Sequence, residues 1–219
     1  MIKLKYKSWE EVSIPIYQEI IDIAKSGEHG EEAFTHREMD ILAVLCDSDR
    51  ESLGNLLIED YTKLAHEARF LQKMPFYMPP QTIMLRGVEY RIVVDIAKFT
   101  LAQYTEYNTL RADVRTNVSQ ILACLFIPTT AKVYADNYDV KEVVEAIEAE
   151  LPYYKAHGIL HFFQAAQSLS LANTLRLEAK RLKKMARKME DKAEKHKVLK
   201  EAEELHKAYI SLGRCWLNK

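Results

Sequence analysis

Few residues in this chain are spaced to do chemistry. His157 and His161 stand four apart, so one helical face would present both imidazoles, as two metal ligands require. Gly158, Ile159 and Leu160 fill the interval, and the glutamate that completes a zinc-protease motif is absent. Two histidines packed at a domain surface are the expectation. Asp47, Asp49 and Glu51 alternate, but with Leu53 and Gly54 following they lack the calcium-loop pattern and read as a capped turn. Cys46, Cys124 and Cys215 lie far apart in no metal-ligand spacing, which fits reduced thiols in a cytosol better than a disulfide framework. There is no phosphate-binding glycine loop, no nucleophile elbow and no hub of carboxylates. The expectation is a protein that is no enzyme, with no catalytic, cofactor-binding or metal-ligating residue and no cofactor.

The feature able to bind something by itself is a basic arm. Between Arg176 and Lys200 eleven Lys/Arg face four Asp/Glu, a local charge of +7, so with a net charge of −1 the remaining residues carry −8. A basic arm thus sits on an acidic body. Within the arm, Leu175, Leu182 and Met189 recur every seven residues, with Met185 and Leu199 in the offset register. Leu175, Leu182, Met185 and Met189 make a stripe wide enough for one partner helix, flanked by Lys183, Lys184, Arg187 and Lys188. Clustered cations also suit nucleic acid, but the apolar seam favours a protein partner. Self-association stays open.

These residues need elements to hold them, and almost all read as helix. The exception is 81–111, QTIMLRGVEYRIVVDIAKFTLAQYTEYNTLR. There Val88, Tyr90, Ile92 and Val94 are spaced by two, and Ile83 and Leu85 match them across Arg86-Gly87. This predicts one hairpin within about 81–95 as the only substantial sheet, turning through a type I turn with a glycine bulge. Ser13 with Pro15 in the first turn starts a helix that Gly27 and Gly30 end. Thr35-His36-Arg37-Glu38 and Ser48-Asp49-Arg50-Glu51 have capping-box spacing. A longer helix is expected over about 59–73, and Pro75, Pro79 and Pro80 force an extended connector after it. Thr100 and Asp139 can cap further helices, and VSQILACLFI, from Val118 to Ile127, is apolar enough to lie centrally. Pro152 opens LPYYKAHGILHFFQAAQSLSLA, and Leu122, Leu125, Phe126, Phe162 and Phe163 are the expected core. From about Asn173 to Gly213 the pattern is one long helix or two stacked pieces.

The fold class expected is mainly α: a multi-helix bundle with one small β-hairpin and a long charged C-terminal helix. Residues 1–170 form the helical body and residues 171–219 the basic amphipathic arm. At 219 residues, 48% hydrophobic and 29% charged, the chain can bury a real core. No apolar run reaches the roughly 18 residues that span a bilayer, so no membrane is expected. The N-terminus MIKLKYKSWEE has charges where a signal peptide needs its apolar region, so an intracellular product is expected.

The order of elements resembles the tail assembly chaperones of long-tailed bacteriophages, in the diverged versions from phages of anaerobic gut bacteria. The resemblance lies in SWEEVSIPIYQEI, ILAVLCDSDRESLGNLLIEDYTKL, MPFYMPPQTIMLRGVEYRIVVDIAKFTLAQY, VSQILACLFIP, AKVYADNYDVKEVVEAI and GILHFFQAAQSL, over roughly residues 8–170. It implies a protein of the bacterial host cytoplasm that shields the apolar-striped helices of the tape-measure protein until tail-tube subunits polymerise around it. The alternative is a permanent virion component, such as a head–tail connector or baseplate protein. The turn at Arg86-Gly87 and the basic helix after Asn173 depart from the compact forms of that family.

Overall fold

The period-two stretch forms the sheet, and helices surround it. The computed structural model describes the backbone of residues 2–25, 31–189 and 191–217, with side chains except at 31–35 and 209–217. Gly27 and Gly30, expected to end the first helix, and the thiol of Cys215 lie outside the described residues. In chain order the elements are α1 (Ile14–Lys25), α2 (Glu31–Cys46), α3 (Arg50–Gly54), α4 (Ile58–Glu67), β1 (Thr82–Leu85) and β2 (Val88–Ile92). They continue with α5 (Leu101–Leu110), α6 (Val118–Leu125), β3 (Phe126–Pro128), α7 (Val140–Glu150), α8 (Tyr153–Ala186) and α9 (Lys192–Leu217). The protein is mainly α with a small antiparallel sheet ordered β1-β2-β3.

Local signals hold where the cap residue has free backbone donors beside it. Ser13 Oγ accepts from Ile16 N–H, and Thr100 and Gln103 form a reciprocal capping box on α5. Asp139 accepts from Lys141 N–H at the start of α7. Two expected caps are corrected. Helix α2 begins at Glu31, which puts Thr35 inside it with no free donors to cap. At α3 the cap is Asp49, whose carboxylate accepts from both the backbone and the hydroxyl of Ser52, and Ser48 stands one residue outside. Those two bonds hold the Asp49 carboxyl below the usual carboxylate range.

The hairpin differs from expectation in its turn and in its extent. Leu85 pairs with Val88 across two residues, and both have positive φ, 46° at Arg86 and 74° at Gly87. That is a type I′ turn, whose twist matches the strands without a bulge. Arg86 tolerates the left-handed conformation because its N–H donates to Glu150 Oε2 at 2.7 Å and its guanidinium reaches Glu145 at 3.5 Å. The expected apolar helix ends at Leu125, two residues early. Phe126, at φ −99° and ψ 115°, turns into β3, which pairs Ile92 with Phe126 and Tyr90 with Pro128. Pro128 disfavours the helical conformation for Ile127, and the open edge of β2 supplies the alternative bonds.

Contacts divide the chain into two units, residues 1–93 with 98–160, and residues 161–219 with 94–97. The expected boundary at 170/171 falls inside α8, which runs through it unbroken. In the first unit one core cluster gathers Leu4, Ile20, Leu42, Leu45, Leu53 and Leu64. Trp9 closes it, its indole N–H donating to the carbonyls of Phe70 and Lys73 at 2.9 and 3.0 Å. Around the sheet, Leu122, Leu125 and Phe126 are fully buried, with Ile121, Val143 and Ile147 beside them in the sequence of α6 and α7. Phe163 is 1% exposed but Phe162 is 38% exposed. Phe162 is therefore no core residue: it points about 100° away from Phe163, next to the exposed His161.

Candidate partner-binding surface

The expected binding residues all lie in the second unit, and its burial pattern decides which of them are free. Along α8 beyond Phe163 the covered residues are Ala172, Ala179 and Ala186, one every seven residues. Leu175, Leu182 and Met189 are half-buried, each three residues further on, which completes an a/d seam. On α9, Ala202 is fully buried and Lys195, Val198, Leu199 and Leu205 are half-buried at the same spacing. The link 187–191 is short, and both helices belong to one compact unit. The break after Ala186 is capped from the far side, where Asp191 accepts from the N–H groups of Ala193 and Glu194. Of the two forms the sequence allowed, the arm takes the two-piece one, and α9 continues past Gly213 to Leu217.

The expected stripe therefore divides. Leu175, Leu182 and Met189 line the seam, whereas Met185 is exposed. Lys183, Lys184, Arg187 and Lys188 are all exposed. A second row, not recognised in the sequence reading, runs Phe162, Ala166, Leu169, Asn173 and Leu177, at steps of four, three, four and four residues. Leu169 is 63% and Leu177 66% exposed. At 100° per residue this row lies about 150° around the helix from the seam. Lys180 and Lys184 extend it by the next two steps, and both are exposed. The signal that could have found the row was the seven-residue recurrence of alanine, which marks the true seam and so the outward leucines.

In the first unit, Cys46 and Cys124 are buried, and the expected histidine pair straddles the start of the second unit. His157 and His161 are both exposed on α8. Gly158 between them has a role the sequence reading missed: a Cβ there would lie 2.7 Å from the carbonyl oxygen of Tyr77 and 2.9 Å from its Cβ. The proline connector thus docks on α8 at a bare backbone position. Lys155 lies over the rings of Tyr77 and Tyr154, at 5.9 Å from each. Cys124 is fully buried, and burial pushes its thiol up to about 12, with the Glu106 carboxylate adding to the shift. Such a thiol stays protonated at neutral pH and is a poor nucleophile. Its neighbour Tyr134 donates to Glu106 at 2.7 Å and anchors the turn in which Ala135 and Asn137 take positive φ. A groove of about 380 Å³ between α1, α2 and α4 is lined largely by Ile41, Leu42, Ala65, Ala68 and Leu71.

Among the described residues, no three His, Cys, Asp or Glu side chains gather as metal ligands, and no helix is long and apolar enough to cross a membrane. No family model, curated protein or solved structure matches the chain.

Proposed function

We propose that this protein binds a helical client and performs no catalysis, acting as a tail assembly chaperone that shields the tape-measure protein of a long-tailed phage. The observation that carries the reading is the row of large apolar side chains left in solvent on α8, Phe162, Leu169 and Leu177, in a strongly basic arm. Leucines exposed at more than half their surface on a helix that already buries an alanine seam are a docking surface by composition. The element order over residues 8–170 supplies the phage assignment. A shielding protein needs such a face to be accessible and to release its client to a competitor, which moderate apolar contact allows.

The test is co-purification of a tagged copy from infected host cells, with mass spectrometry of the bound chain and of purified virions. A tape-measure or tail-tube partner, together with absence from the virion, is the expected result. A stoichiometric presence in the virion would replace the chaperone reading with that of a permanent structural component.

A further inference from the structure

On the client-binding reading, the two apolar rows of α8 compete for the role of docking face. The seam row is already partly covered, since Leu175 and Leu182 are half-buried beside the buried alanines, as is Met189 just beyond the helix. The outer row is open over Phe162 to Leu177, about 22 Å of helix at 1.5 Å per residue, or four turns. Beyond Leu177 the same face becomes cationic through Lys180 and Lys184, with the exposed Arg187 next to them. A partner matched to this face has an apolar stripe at one end and acids at the other. Acidic residues are most stable in the first turns of their own helix, where they oppose the positive end of the dipole. The partner's N-terminal end therefore lies on the basic end of the row, which makes the two helices antiparallel and also opposes their dipoles favourably.

We propose that Phe162, Leu169 and Leu177, with Lys180, Lys184 and Arg187 beyond them, form the docking face for an acidic amphipathic helix of another protein, laid antiparallel to α8. Apolar contact supplies the affinity, because exposed ion pairs contribute little each, and the cations set orientation and association rate.

The experiment uses the full chain and a synthetic four-to-six-turn peptide, with leucines at helical spacing and glutamates in its first two turns. Binding is followed by fluorescence anisotropy at low and high salt, against a glutamine version and a 20-base-pair DNA. The wild-type protein is expected to bind the acidic peptide and to lose roughly tenfold or more when its glutamates become glutamines at low salt. Leu169→Asp with Leu177→Asp should abolish binding while circular dichroism is unchanged, since both sites are exposed. Lys180→Glu with Lys184→Glu should lose the acidic peptide and gain a lysine-bearing counterpart, a swap that no folding defect can produce. Equal binding by the double-Asp variant, or DNA bound as well as peptide with no dependence on the leucines, overturns the proposal. So does a concentration-dependent dimer that Leu169→Asp dissolves, because the occupant is then a second copy. Should the double-Asp variant still recover the client from infected cells, the face is wrong and the client-binding reading stands. Should the wild type recover no client but bind the peptide as described, the reverse holds.

Discussion

The two units bury different things. Around the sheet of the first unit, Phe126, Leu122, Leu125, Ile121 and Ile147 are at most 2% exposed, so the interior is filled by side-chain volume. In the second unit, the buried described residues other than Phe163 are alanines, at 172, 179, 186 and 202. There each buried position contributes a single methyl group, so little side-chain volume leaves water. Both units leave large apolar side chains in solvent, Ile58, Phe76 and Leu101 in the first and Leu169 and Leu177 in the second, but in the second the exposed leucines recur along one helix. The second unit is thus the one whose buried positions are filled with the least side-chain volume.

The largest expected effect breaks the first interior. Phe126→Ala removes a fully buried ring from the β2–β3 edge and should cost about 3–5 kcal/mol in chemical denaturation. Phe162→Ala, two helices further on and exposed, should change stability by less than about 1 kcal/mol. Comparable costs for the two would contradict the placement of Phe162.

Next come the two places where smallness is the requirement. Ala186→Leu overfills the seam, and Gly158→Ala sets a methyl against the Tyr77 backbone. Each should cost about 1–3 kcal/mol, as overpacking does. They separate by location: hydrogen exchange should quicken in α8 and α9 for Ala186→Leu, and in the connector 73–81 for Gly158→Ala. A uniform loss across both units in either variant would show that they unfold as one.

A smaller effect tests local capping in the first unit. Thr100→Ala removes the hydroxyl that accepts from Gln103 N–H and should cost about 1 kcal/mol, with faster exchange in the first turn of α5. The smallest is chemical. The Cys124 thiol has its ionisation raised from an ordinary value near 9 to about 12 by burial, so the unfolded chain ionises first. Its contribution to stability is fully present below about pH 9 and is lost as pH rises towards 12. Alkylation at Cys124, read by peptide mass spectrometry at pH 8.5, should be slow in the folded protein and rapid after unfolding.

Much of this molecule was legible in the sequence because the deciding interactions are local. Ser13, Thr100 and Asp139 cap helices by reaching donors two or three residues away, and the period-two run from Val88 to Ile92 carries its own pairing partner across two residues. The heptad of leucines and methionines also marked the true seam side of the arm. The rest depended on partners distant in the chain. Phe126 leaves a helix for a strand because the edge of β2, more than thirty residues earlier, offers hydrogen bonds. Arg86 holds a left-handed conformation because Glu150 waits 64 positions away, and Gly158 must lack a side chain because Tyr77 approaches it. Most consequential for function, a row of apolar residues on α8 has no intrinsic inside. Periodicity defines two such rows, and only the burial of the alanines in the tertiary structure determines which one is left for a partner.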